Sequence, residues 1–298
     1  MRQLLSLTVL ALAASMAQAQ FRVLDIQTCL GWQGPSRDPV YDFGDQVFIR
    51  GKIIGASRDV RENIHVEFQR DVYDPEGKIV EHGEGTVEYP QLYGNEAPLN
   101  ISFSIYPTWK SGDYTMKATL KDKETGMKST VTQKFTVLPQ RLAILPPQFF
   151  SDKEGNNIAP NGGFAGSAVH YKWQVVGLNN SKGAIDCEVV IQLRDRTGQK
   201  ILKEIGIVRN TETDPEKIKE IEVMTSGGNL PLASPGDFVL HLVAKDHMAG
   251  KTVFCDVPLH VEAAGKGMRF EGGSREMPVP PAITSTPPSL IQVSSPPK

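Results

Sequence analysis

Tyr114, Met116, Ala118 and Leu120 alternate along the chain with Thr115, Lys117, Thr119 and Lys121. Further on, Phe238, Leu240, Leu242 and Ala244 alternate with Val239, His241, Val243 and Lys245. A period of two puts each set on one face of an extended chain, so both stretches predict half-buried β-strands. The same rule picks out Val47, Ile49 and Ile53, then Ile64, Val66 and Phe68, then Leu99, Ile101, Phe103 and Ile105. It recurs at Val169, Tyr171, Trp173 and Val175, and at Cys187, Val189, Ile191 and Leu193. The segment "DPEKIKEIEVM" (214–224) reads either as a helix or as a strand matching 98–106.

The pattern is written twice. "GDYTMKATLKDKETG" (112–126) and "GDFVLHLVAKDHMAG" (236–250) are 124 positions apart, and the register holds without a gap to Val137 and Val261. Further upstream, "GDQVFIRGKIIG" (44–55) lies over "GSAVHYKWQVVG" (166–177) at an offset of 122. A unit of that length suits a whole domain rather than a solenoid repeat. Each unit holds about seven alternating strands. The turn after each repeated strand runs from Asp122 to Gly126 and from Asp246 to Gly250. Asp bonds the backbone ahead of it and the closing Gly adopts positive φ, as short hairpin loops require.

Many short strands separated by turn residues predict an all-β chain built of antiparallel sandwiches. "SGDYTM" and "PGDFVL" resemble the approach to a late strand in immunoglobulin-like domains. Met116 and Leu240 stand where an antibody-type domain would carry cysteine, so the variety resembled is not centred on a disulfide. The chain is similar in this respect to fibronectin III, macroglobulin-like and adhesin modules, and to secreted bacterial proteins with paired copies of such units. The resemblance implies two tandem immunoglobulin-like antiparallel β-sandwiches, at 20–139 and 140–262. It implies a fold and no function.

Residues 1–19 carry Arg2, an apolar run from Leu4 and a close on Ala17-Gln18-Ala19, the pattern of a cleaved signal peptide. The expected location is therefore exported, periplasmic or extracellular, with no membrane insertion after cleavage. The formal charge is −2, with 32 Lys+Arg against 34 Asp+Glu, which lacks the basic excess of a nucleic-acid binder. The stretch "VLPQRLAILPPQFF" (137–150) joins the two units through three prolines and predicts a semi-rigid joint. Residues 263–298 are rich in Pro, Ser and Gly and read as a disordered tail. Cys187 and Cys255 fall on strands expected to flank a common neighbour, which favours two buried free thiols over the alternative of a bridge between them, and Cys29 is left odd.

Chemistry is scarce. The chain has no H-E-x-x-H, C-x-x-C, G-x-S-x-G or phosphate-cradling glycine loop, so no catalytic, cofactor-binding or metal-ligating residue is assigned. Its six histidines are scattered, and "SDKEGNN" (151–157) reads as a polar turn before it reads as a calcium loop. The candidate binding residues are loop aromatics of the first unit: Trp109 in "YPTWKSG", with Tyr89 and Tyr93 in "EYPQLYGN". The second unit has Ala233 in place of Trp109. The expected function is a noncatalytic structural or binding module that recognises an envelope or extracellular protein or glycan. The alternative is an accessory subunit or inhibitor of a secreted hydrolase.

Overall fold

A computed structural model describes residues 20–32, 34–90, 96–220 and 223–263. The signal segment, Tyr93 and the Pro-rich stretch from 264 onward lie outside these residues. The regular structure of the described chain is nearly all strand, with one short helix. In the first half, β1 (Arg22–Cys29), β3 (Gln46–Ile54) and β6 (Glu96–Ser104) form one sheet. The facing sheet has the order β2-β8-β7-β4-β5, from β2 (Val40–Tyr41), β8 (Lys128–Val137), β7 (Gly112–Asp122), β4 (Ile64–Tyr73) and β5 (Ile79–Tyr89).

The second half repeats the plan. β9 (Ala143–Phe150), β10 (Ile158–Ala159), β12 (Ala168–Val176) and β15 (Val223–Pro231) make one sheet in the order β10-β9-β12-β15. Opposite it lie β11 (Gly162–Phe164), β17 (Lys251–Glu262), β16 (Gly236–Asp246), β13 (Ile185–Asp195) and β14 (Ile201–Glu212), in the order β11-β17-β16-β13-β14. All pairings are antiparallel except β2 with β8 and β11 with β17. In each half a short strand crosses from the first sheet to run parallel with the last strand.

The alternation sorts the cores. Tyr114, Met116, Ala118 and Leu120 of β7 are buried with Val47, Ile49, Ile64, Val72 and Phe103. Leu240, Leu242 and Ala244 of β16 are buried with Trp173, Cys187, Val189 and Leu259. Within the segment 214–224 a short helix comes first and a strand follows. Pro215–Glu220 forms the short helix α1, because Asp214 caps it, accepting the Glu216 N–H on Oδ1 at 3.0 Å, and Pro215 suits the first helical position. The strand begins only at Val223.

The joint between the halves is built from side chains. Arg141 donates to both carboxylate oxygens of Asp42, at 2.7 and 3.1 Å. Asn161 Nδ2 donates to the Leu30 carbonyl at 3.0 Å, and Gln148 Nε2 donates to Gln46 Oε1. Leu30, on the loop after β1, packs against the second core. Gly44 has φ 84°, which favours glycine, and an added Cβ would meet Leu145 Cδ1 and Val176 Cγ1 at 3.2 Å, tighter than an ordinary contact.

Candidate functional site

The two repeated turns show what the repeated stretch is for. Asp122 is fully buried and its carboxylate accepts from the Ser57 N–H at 2.9 Å, the Thr125 hydroxyl at 2.8 Å and the Glu124 N–H at 3.0 Å. Asp246 accepts from the N–H groups of Asn179, Met248 and Ala249 at 2.8, 2.9 and 3.0 Å. Ser57 and Asn179 each lie two residues beyond a matching glycine, Gly55 and Gly177. The shared carboxylate therefore ties the late hairpin to the loop leaving β3 or β12. Gly126 and Gly250 close the turns at φ 72° and 65°. This chemistry serves the fold.

The candidate aromatics do not form one patch. Trp109 is only 8% exposed and stacks on Tyr114, with ring centroids 5.1 Å apart and planes 13° from parallel. It closes the sandwich end where β7 begins. Tyr89 is the last residue of β5 rather than a loop residue, and it is also 8% exposed. It pairs with Ile64, beside the end of β7 that carries Asp122. The length of β7, 11 residues and so roughly 35 Å, separates the two rings. Tyr93 lies outside the described residues. The aromatic that reaches solvent is Tyr106, 47% exposed, its centroid 6.0 Å from that of Trp109.

A cleft of about 120 Å³ runs between the halves, lined among others by Arg37, Asp45, Gln148, Lys172 and Gln174. It is smaller than the several hundred Å³ of a typical small-molecule site. At its floor Arg37 Nη2 pairs with Asp45 Oδ2 at 3.1 Å, and the guanidinium lies over the Tyr41 ring at 4.4 Å. Burial pushes the Asp45 carboxyl up to about 6, outweighing the pull of Arg37 and of the Gln46 N–H. The folded chain thus holds a proton that the unfolded chain has released. This contribution to stability is full at low pH and declines between about pH 4 and 6, by up to about 3 kcal/mol. Urea denaturation of wild type and Asp45→Asn at pH 4.5 and 7 should show the difference between them moving in favour of the variant as pH rises. Parallel profiles would place the carboxyl near its ordinary value.

The thiols are unpaired. Cys187 faces Asp246 and Cys255 faces Leu242 on either side of β16, so the two are displaced both across the sheet and along it. Burial pushes Cys187 up to about 11 and Cys255 up to about 12, which leaves both protonated and unreactive near neutrality. Asp152 in the suspected turn accepts the N–H groups of Asn156 and Asn157 at 3.0 and 2.6 Å.

Pairings that the linear sequence hid are four His–Asp contacts: His65 with Asp59, His82 with Asp71, His241 with Asp256 and His260 with Asp237, at 2.6 to 2.9 Å. The last three join facing residues of neighbouring strands. Among the described residues no group of three or more His, Cys, Asp or Glu is placed to hold a metal ion. Nor, among them, is any helix long and apolar enough to cross a membrane.

No protein-family model matches the chain, and no curated protein matches it in sequence. Among solved structures it is similar to the C-terminal domain of the Streptococcus agalactiae AgI/II polypeptide BspA, at 13% identity over 81% of this chain and 99% of that one, with a TM-score of 0.25. A structure named BspA_C_WT gives 12% identity over 79% and 99%, TM-score 0.25. Red sea bream transglutaminase gives 8% identity over 83% of this chain and 32% of that one, TM-score 0.25. Likenesses at this level carry nothing about what the chain binds or does.

Proposed function

We propose that this chain is a noncatalytic, exported binding module that presents the Tyr106 end of its first sandwich to a protein or glycan of the cell envelope. The signal-like segment 1–19 supports export. The observation that carries the recognition reading is the layered aromatic end. Tyr106 is exposed, rests beside Trp109, and Trp109 is in turn stacked on Tyr114. An aromatic held from behind gives contact area at little cost in lost side-chain freedom. The second unit has Ala233 at the Trp109 position and no such layer. The bolted joint adds that whatever the first sandwich grips is held at a set orientation to the second.

The experiment separates contact from support. The mature chain is immobilised and exposed to envelope extract, beside Tyr106→Ala and Trp109→Ala. Tyr106→Ala should keep its melting temperature and lose about thirtyfold in retention, the equivalent of about 2 kcal/mol at an interface anchor. Trp109→Ala should lose about 3 kcal/mol of stability, as for a large buried ring. Unchanged retention by Tyr106→Ala would remove the aromatic end as the contact.

A further inference from the structure

The outer face of the β11-β17-β16-β13-β14 sheet breaks the alternation that rules the rest of the fold. One row of directly facing residues crosses four of its strands: Phe254 opposite Val243, Val243 opposite Val190, and Val190 opposite Ile207. These side chains point away from the core, because their strand neighbours Leu242, Ala244, Val189 and Ile191 fill it. Phe254 is 68% exposed and Ile207 66%. The equivalent row of the first sandwich is Thr130, Thr119, Gln69 and Glu84, which is polar throughout. The same position in the same fold is therefore wet in one copy and apolar in the other, and such a stripe on a soluble face marks an interaction surface.

The flanking charges say what covers it. On one side lie Asp256, His241, Gln192 and Glu204; on the other lie Thr252, Lys245, Glu188 and Arg209. Asp256 is paired with His241, Lys245 lies 3.7 Å from Glu188, and Arg209 bonds Asp186 through Nε and Nη2, leaving Nη1 outside that pair, whereas Glu204 has no ion-pair partner among the described residues. We infer that the stripe is covered by the stripe of a second copy, related by a two-fold axis running along it. That rotation lays Phe254, Val243, Val190 and Ile207 each over its own counterpart. It exchanges the two flanks, so Glu204 meets the other copy's Arg209 and Asp256 comes beside the other copy's Lys245. A two-fold axis along the strands would set Asp256 against Glu204, carboxylate on carboxylate, and is disfavoured. Facing sheets pack about 10 Å apart with their strands near −30°, which the twist of these strands supplies. Only Phe254 and Ile207 of the row are largely exposed, so the patch falls short of the ~800 Å² per partner of a standard interface and the dimer belongs to the weak, concentration-dependent class.

Sedimentation of the mature chain over a roughly thousandfold range up to about 1 mM tests this. The expected result is a mass that rises from monomer towards dimer. Phe254→Lys and Ile207→Lys, both at exposed positions, should each weaken association at least tenfold with unchanged circular dichroism. Glu204→Arg, which sets guanidinium against guanidinium across the axis, should weaken it several-fold, whereas Glu204→Asp should leave it nearly unchanged. A chain that stays monomeric throughout, association indifferent to Phe254→Lys, or association indifferent to Glu204→Arg would each overturn the proposal.

Discussion

Asp122→Ala should lower the stability of the chain by about 4 kcal/mol, and Asp246→Ala should do nearly the same. Each substitution removes one carboxylate and strands three donors that it satisfied at 2.8 to 3.0 Å. Hydrogen bonds to a charged group contribute about 1.5–3 kcal/mol each, and buried donors left unpaired cost more than the mean bond is worth. The loss exceeds that of a surface turn because Ser57 and Asn179 belong to loops far from Asp122 and Asp246 in sequence. When the carboxylate goes, the loop after β3 or β12 comes loose with the hairpin. Asp122→Asn retains one acceptor oxygen and should lose less.

Acid should mimic the substitution. Burial alone would raise the Asp122 carboxyl, but the Ser57 N–H, the Thr125 hydroxyl and the Glu124 N–H together hold it below its ordinary value. Its stabilisation is full above about pH 4, where the unfolded carboxyl is also ionised, and is lost as pH falls through the lowered folded value. The difference between wild type and Asp122→Asn in urea should shrink in that direction. A loss below 1 kcal/mol for both alanine variants would show that the repeated aspartates are incidental to the fold.

Arg70→Ala should cost about 3–5 kcal/mol, while the double replacement Arg70→Leu with Glu81→Leu should be close to neutral. Arg70 sits on the inner face of β4, its side chain 11% exposed, and pairs with Glu81 of β5 at 2.5 Å. It also donates to the Ser102 carbonyl of the opposite sheet at 2.5 Å and lies over the Phe103 ring at 5.1 Å. It thus clips the two sheets together at an open edge. Burial pushes the Glu81 carboxyl up in spite of Arg70, so removing the guanidinium leaves a desolvated acid with nothing to offset it. Arg70 Nε and Glu81 Oε2 have no hydrogen-bond partner among the described residues, so the pair is incompletely satisfied. Two leucines would remove both charges together, with the Ser102 carbonyl losing its donor from Arg70. The test is chemical denaturation of the three variants. A double variant as damaged as Arg70→Ala would mean that shape, not charge, holds this edge.

The candidate aromatics show where reading a line of residues stops. "YPTWKSG" and "EYPQLYGN" both look like loops with rings to spare. Trp109 is spent on Tyr114, a contact with a strand that begins three residues later, and Tyr89 completes β5. Tyr106, three residues before Trp109, was not distinguishable from it without the turn that buries one and exposes the other. The stripe across β17, β16, β13 and β14 was hidden differently. Phe254, Val243, Val190 and Ile207 are single apolar residues at polar positions of four separate strands, and each by itself is unremarkable. Only the register of the sheet makes them one surface.

By itself the sequence determined the all-β sandwich character and which face of each repeated strand is buried. These follow from a period of two and from Asp and Gly at turns, properties carried by residues within a few positions of one another. The tertiary structure decided the rest: the clip of Asp122 on Ser57, the His–Asp pairs, the ion pair at the Arg37–Asp45 joint and the apolar row of the second sandwich. Each of these depends on which residue of one strand or loop lies opposite which residue of another, often dozens of positions away. A slip of one residue there would leave the local pattern as it was and turn every such contact to the other face.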